Sequence, residues 1–366
     1  MNVLFRVDAS NQIGTGHVIR CLTLALALRR AGHHCFFVMR NLQGNLKSAL
    51  EQVGFSVRMV GDSYDDSSDG ISSALSDHFV INDWKHDAEN TLLAYEETVW
   101  DWIVVDNYGL DSRWESIVSG SCHAILCIDD LADRTHTCSL LVDPTIDRVA
   151  SDYLRWLLTT NSSVHCGTNF AFIRDEFHSY IDVSHQRRLA PEIRNVMISL
   201  GGSDPNNITT AILQRLIEIG IPENWEFNVV VGSSSPWYLD VVQTCRGMPC
   251  KCNVLRNVTY MADLMSRADI AIGAGGGTAW ERCYMGLPSL VVNLANNQNY
   301  IVDGIVRHGA ALELDIHSLG ESLRSCLSLL TNDQNLLYQM SCKARQLVDG
   351  KGVSRVVSLM SAGSSI

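Results

Sequence analysis

His17 closes a loop that reads Asp8-Ala9-Ser10-Asn11-Gln12-Ile13-Gly14-Thr15-Gly16-His17, running from an apolar stretch into a helical pattern. Imidazole is the side chain whose ordinary pKa lets it exchange a proton near neutral pH. At a helix start the aligned peptide dipoles disfavour added positive charge, which keeps the ring neutral and able to accept a proton. Gly14 and Gly16 let the backbone come close to a ligand without side-chain clash. The loop thus offers a general base beside a close-approach surface; the plainer alternative is a histidine that only caps or packs its helix. It is no dinucleotide fingerprint, because Ile19 stands where the third glycine of GxGxxG belongs, and GxxxxGK[ST] is absent throughout.

A second candidate segment is Gly273-Ala274-Gly275-Gly276-Gly277-Thr278-Ala279-Trp280-Glu281. Amides at a glycine-rich turn that enters a helix can hold a diphosphate, with Thr278 adding a hydroxyl. Glu281 can accept hydrogen bonds from ribose hydroxyls. The structural alternative is a turn made of glycine for tight strand–helix packing. Asn296-Asn297-Gln298 offers amides suited to sugar hydroxyls or acetamido groups, or forms a plain polar turn. In Ser199-Leu200-Gly201-Gly202-Ser203-Asp204, Ser203 and the Gly202 backbone could meet phosphate, while Asp204 could equally cap a helix. The segments 105–109, with Asp106 and Tyr108, and 128–134, with Asp129, Asp130 and Arg134, also close strands. Their aspartates either bind sugar hydroxyls or hold Arg134 in a structural ion pair.

These loops need a frame. Apolar runs at 3–7, 35–39, 102–105, 124–128 and 140–142 read as buried strands of a parallel sheet. Val18, Cys21, Leu22, Ala25 and Leu28 recur at helical spacing after the first, and Gly32 supplies the stop. The pattern restarts at 195–200, again leading through glycines into a helix with Ile212, Leu213 and Leu216. Strands at 227–231, 269–273 and 289–293 complete that half, and the tail from about 333 is helical. The expectation is an α/β protein of two Rossmann-like domains facing each other across a cleft. Residues 1–186 would carry the catalytic loop, and 187–366 would bind nucleotide and include the terminal helices, with a linker near 183–194.

The net charge of −12, from 28 basic and 40 acidic residues among 366, disfavours nonspecific contact with nucleic acid or anionic membrane. No apolar run reaches the roughly 18 residues of a membrane span. The first residues read as a strand and not as an export signal, so a cytoplasmic location is expected. The twelve cysteines form no CxxC pair, and Cys250 and Cys252 lack a matching partner pair, so reduced thiols are expected and structural zinc is not. The acidic run 62–70 is read as a solvated loop, with a metal site as the sharper alternative.

The motif Arg6-x-Asp8-Ala9-Ser10…Ile13-Gly14-Thr15-Gly16-His17-Val18-x-Arg20-Cys21, taken with the segments 128–134, 199–204 and 273–283, resembles the PseG family. These are the UDP-2,4-diacetamido-2,4,6-trideoxy-β-L-altropyranose hydrolases of pseudaminic acid biosynthesis. The matching blocks run in order from residue 4 to about 300. The resemblance implies a glycosyltransferase-B-like fold related to MurG, and a UDP-linked amino sugar as substrate, with no cofactor and no metal. It implies that His17 is the catalytic histidine, Glu281 a ribose ligand, Asn297 and Gln298 an amide pair near the substrate, and Arg174 close to the site. Arg6, Asp8, Gly14, Gly16, Arg20, Tyr108, Gly202, Ser203, Gly276, Gly277 and Thr278 are expected on the substrate side. Asn296 replaces a commonly acidic residue, and Val142-Asp143-Pro144-Thr145 replaces an amide-rich turn; both bear on sugar preference. A monomer is expected. A MurG-like inverting glycosyltransferase is the alternative, with a nucleotide-sugar binding protein and a 2-epimerase behind it.

Overall fold

The computed structural model describes residues 1–61, 83–95, 98–202, 204–232 and 235–363, so the acidic run at 62–70 and Ser203 lie outside the described residues. The chain forms two compact units, Met1–Phe172 with Lys351–Ile366, and Ile173–Gly350. Among the described residues no helix is long and apolar enough to cross a membrane.

The first unit is built on strands β1 (Asn2–Val7), β2 (His34–Arg40), β3 (Ser56–Val60), β4 (Trp100–Asp106), β5 (Cys122–Ile128), β6 (Leu140–Asp143) and β7 (Ser163–Cys166). All pair in parallel, in the order β3-β2-β1-β4-β5-β6-β7. Successive side chains of a strand point to opposite faces. Val3, Phe5 and Val7 therefore join the core that also buries Val18, Cys21, Leu24 and Leu28 of the helix Gly16–Arg30. Leu4 joins the core of the other face, with Ile103, Val105 and Trp114. Burial of each large apolar side chain contributes roughly 1.5–3 kcal/mol. The expected strands of this unit are all present.

The second unit repeats the plan with β8 (Asn195–Ser199), β9 (Glu226–Val231), β10 (Lys251–Arg256), β11 (Ile270–Ala274), β12 (Ser289–Val292) and β13 (Ala311–Leu314), again parallel, in the order β10-β9-β8-β11-β12-β13. In both sheets the connections reverse direction at one place, β1 beside β4 and β8 beside β11. Open parallel sheets bind ligands outside the carboxyl ends of the strands at such a switch point. The loops after β1, β4, β8 and β11 are among those that the sequence marks as chemical, together with the loops after β5 and β12.

The division differs from the expected one at residue 186. The helix Ile181–Arg187 belongs to the second unit, where Ser184 Oγ donates to Met285 O (2.7 Å) and Arg188 donates to the Met265 and Ala268 carbonyls (2.9 and 3.0 Å). The final helix, Gly352–Gly363, returns to the first unit: Val353, Val356 and Met360 enter the core that holds Val18 and Phe172. A polar stretch marks where a linker can be, but the contacts of each helix, polar for Ile181–Arg187 and apolar for Gly352–Gly363, decide which unit claims it. Gly352 lies so close to the Ala171 carbonyl that an added Cβ collides with backbone. Gly352→Ala is therefore expected to cost about 1–3 kcal/mol, measured as a lower urea midpoint. Gly120→Ala, where a Cβ meets nothing, serves as the control and leaves the midpoint within about 0.5 kcal/mol of the parent.

Candidate active site

His17, Arg20 and Cys21 stand at i, i+3 and i+4 on one helix and so share a face. That face meets the carboxyl end of β4, where the fully buried Asp106 side chain accepts from all three: His17 Nδ1 (2.5 Å), Arg20 Nε and Nη2 (2.5 and 2.6 Å), and Cys21 Sγ (3.6 Å). Burial alone would raise the Asp106 carboxyl, but the charge of Arg20 and the His17 ring outweigh it and hold the group well below the usual carboxylate range. An ionised carboxylate only accepts, so the proton of the neutral ring is on Nδ1 and Nε2 carries the lone pair. The 3.1 Å approach of Arg20 Nη2 to Nδ1 is then a contact of two donors and not a hydrogen bond.

The arrangement closes through Asp130. Arg20 Nη1 donates to its Oδ2 (2.7 Å) and Tyr108 Oη to its Oδ1 (2.6 Å), while the Tyr108 ring stands edge-on to His17 with centroids 4.6 Å apart. Tyr108, raised by burial and by Asp130, stays a phenol and a donor. Gly14 adopts φ +80°, which favours glycine, and added Cβ atoms at Gly14 and Gly16 meet nothing, so this rim is open. His17, Arg20 and Tyr108 thus come together beside Gly14 and Gly16.

Arg6 and Asp8 do not join them. Arg6 is fully enclosed, bound to Asp8 (2.7 Å) and to Asp87 (2.6 Å), and Asp8 also accepts from Arg40 N (2.7 Å) and Asn107 Nδ2 (2.8 Å). Strand geometry separates Arg6, expected on the substrate side, from the His17 cluster: it follows Leu4 onto the face opposite the His17 helix. The pair of acids after β5 also divides. Asp129 holds Arg134 (2.8 Å), the structural role, whereas Asp130 belongs to the His17 cluster.

In the second unit the glycine-rich run splits by function. An added Cβ on Gly273 would fall 2.5 Å from Arg282 Nη1, and one on Gly275 would fall 2.5 Å from Val302 Cγ2, so these two serve packing. Gly276 and Gly277 face open space. The Gly275 amide donates to Gln298 Oε1 (3.2 Å), which also accepts from Leu294 N (3.3 Å), so this oxygen of Gln298 ties two loops together instead of facing outward. Glu281 is nearly buried and bound bidentately by Arg174 (2.6 and 2.9 Å), each carboxylate oxygen keeping a second lone pair. Thr278 Oγ1 accepts from Arg282 Nη1 (3.3 Å). Asn297 is half-buried on the short turn Asn296–Gln298. Gly202 packs its carbonyl against Gly232, where a Cβ has no room. Asp204 caps the helix Ile208–Ile219 through the Ile208 and Thr209 amides (both 2.9 Å), the structural alternative.

Residues 197–356 match the Glycosyltransferase family 28 C-terminal domain. The chain is 28% identical over 202 residues to the spore coat polysaccharide biosynthesis protein SpsG of Bacillus subtilis, covering 55% of this chain and 58% of that protein. It is 27% identical over 237 residues to the UDP-2,4-diacetamido-2,4,6-trideoxy-beta-L-altropyranose hydrolase of Campylobacter jejuni, covering 64% and 71%. Among solved structures, MurG of Acinetobacter baumannii superposes with a TM-score of 0.68 over 99% of both chains at 15% identity. The fold is that of the MurG-like GT-B glycosyltransferases, two parallel-sheet α/β domains, as expected.

Two features of the first unit escape a linear reading. Asp106 carries no signal that it partners His17, 89 residues away, except the i, i+3, i+4 set that needs an acceptor. The second is a buried hub under the loop that presents Asp130. Asp129 accepts from Ala132 N (2.9 Å), Tyr153 Oη (2.8 Å) and Arg134, and its Oδ2 lies 3.8 Å from His136 Nε2. Glu115, Cys127 and His136 are the one group among the described residues whose atoms lie close enough to share a metal ion. The His136 ring instead bonds Glu115 Oε1 through Nδ1 (2.7 Å). Burial lowers this imidazole, but Cys127, Asp129 and Glu115 outweigh it and raise its pKa to about 12. A cation favoured by folding contributes stability that is fully present below its unfolded pKa, near 6.5, and is lost as pH rises toward 12. His136→Gln should therefore unfold at lower urea than the parent at pH 6, with the gap narrowing steadily up to pH 10.

Proposed function

We propose that this chain is a nucleotide-sugar hydrolase that releases UDP from a UDP-2,4-diacetamido-2,4,6-trideoxyhexose by attack of water at the anomeric carbon. The observation that carries the reading is the His17–Asp106 bond (2.5 Å), which leaves Nε2 as the basic nitrogen beside an open glycine rim. His17 Nε2 takes a proton from water, the water oxygen bonds to the anomeric carbon, and the carbon–oxygen bond to the diphosphate breaks with its electron pair leaving on UDP. One displacement inverts the configuration. Asp106 does not touch the reacting atoms; it fixes the ring and steadies the imidazolium that forms. The Gly276, Gly277 and Thr278 segment receives the diphosphate, and Glu281, oriented by Arg174, receives the ribose. The diacetamido sugar is supported by the motif blocks and by the name of the Campylobacter relative.

A transferase reading is favoured by the family 28 match and the MurG likeness. It keeps the same base but requires an acceptor hydroxyl. Release of UDP in water with no acceptor decides for the hydrolase; turnover only when an acceptor is added decides against it. In oxygen-18 water the label is expected in the free sugar, and label in UDP would mean attack at phosphorus. His17→Asn should lower the hydrolysis rate by about 10²–10⁴-fold with UDP affinity kept. Near-full turnover of that variant would remove His17 as the base.

A further inference from the structure

Two arginines of the second unit are buried with no carboxylate within ion-pair distance among the described residues, and they differ in what satisfies them. Arg188 donates to three carbonyls, those of Ser184, Met265 and Ala268, near the ends of two helices, while burial lowers it to about 9 and its Nε has no partner. Arg282 does not have such a set. It is 3% exposed, Nη2 donates to a single carbonyl, Ala274 O (2.7 Å), and Nη1 to the Thr278 hydroxyl (3.3 Å), and Nε, as in Arg188, has no partner. The adjacent Glu281 has both oxygens engaged by Arg174. Burial lowers Arg282 to about 10 against the pull of Cys283 and Glu281, so the guanidinium stays charged at neutral pH. A charge enclosed without an ion-pair partner destabilises a fold. A chain that keeps one beneath an open turn gains from it when an anion arrives.

We infer that Arg282 is a positioning residue for the diphosphate of the bound nucleotide, acting from beneath the turn through Thr278. The inference rests on the reading of this turn as the diphosphate-binding segment. Arg282 sits one helical turn after Thr278, so its guanidinium reaches back to the threonine hydroxyl. A guanidinium can only donate, so Thr278 Oγ1 is the acceptor and its own single proton is directed elsewhere. Gly276 and Gly277 leave the outer side of the turn clear for a phosphate oxygen to take that proton. Gly273 has no side chain because the guanidinium occupies the space a Cβ would need. Direct contact with the ligand is not part of the role; the charge acts across the turn and by polarising the hydroxyl.

The test is calorimetric titration of the full chain with UDP, uridine and inorganic pyrophosphate. Arg282→Gln should weaken UDP and pyrophosphate at least tenfold and leave uridine within twofold, with the melting temperature of the unliganded protein unchanged or raised. Thr278→Val, which keeps the arginine, should give the same pattern at roughly tenfold, and Thr278→Ser should restore affinity. If Arg282→Gln binds UDP as tightly as the parent, or loses uridine and melting temperature together with UDP, the inference falls and the nucleotide reading stands. If Arg282→Gln does not fold, the Thr278 pair decides: equal UDP affinity for valine and serine overturns the relay. If the parent binds neither UDP nor pyrophosphate, the nucleotide reading itself fails and takes this inference with it.

Discussion

Asp106 has no exposed side-chain surface, and a carboxylate in such a place must be met by positive charge and hydrogen bonds or take up a proton. It is met by Arg20 and His17, and each is fixed by what the other does. Arg20 keeps the carboxylate ionised; the ionised carboxylate then demands the proton on His17 Nδ1 and leaves the basic lone pair on Nε2. Asp130 takes the remaining arm of Arg20 and, through Tyr108, braces the other side of the imidazole. The set cannot be altered at one member without leaving a buried donor or acceptor unpaired.

The second unit uses the same strand order for a different electrostatic end. At the switch point of the first sheet two carboxylates, Asp106 and Asp130, share the one guanidinium of Arg20. At the switch point of the second, the backbone is rich in glycine, and the Arg282 guanidinium lies under it with no carboxylate within ion-pair distance among the described residues. Glycine there does two separate jobs. Gly273 and Gly275 make room for Arg282 and Val302, while Gly276 and Gly277 leave a face open. One run of five residues, Gly273 to Gly277, hides two unrelated physical requirements.

How legible the fold is depends on where a strand lies. The nine strands expected from apolar runs are all present as strands. The four that escape, β3, β7, β10 and β13, are the two edges of each sheet. An interior parallel strand is covered on both faces and reads as an unbroken apolar run. An edge strand is not, and Ser56–Val60 and Lys251–Arg256 mix polar with apolar residues accordingly. The site divides the same way. Residues local to one loop and helix, His17 with Gly14 and Gly16, or Gly276 to Glu281, were legible because the loop itself brings them together. Arg6 and Asp8, within the same motif, lie away from that cluster: alternation along β1 puts Arg6 on Leu4's side of the sheet, but only the packed structure shows which side the His17 helix covers.

The sequence by itself determined the local grammar of this protein: interior strands, glycine turns at their carboxyl ends, and an imidazole on the first turn of a helix, all set by short-range propensity and periodicity. Only the tertiary structure decided which acid meets that imidazole, which of two adjacent aspartates is structural, that Arg282 forms no ion pair among the described residues, and that the last helix packs on the first unit. These are matters of contacts across tens to hundreds of residues, closed by burial and charge compensation, and no spacing in the chain encodes them.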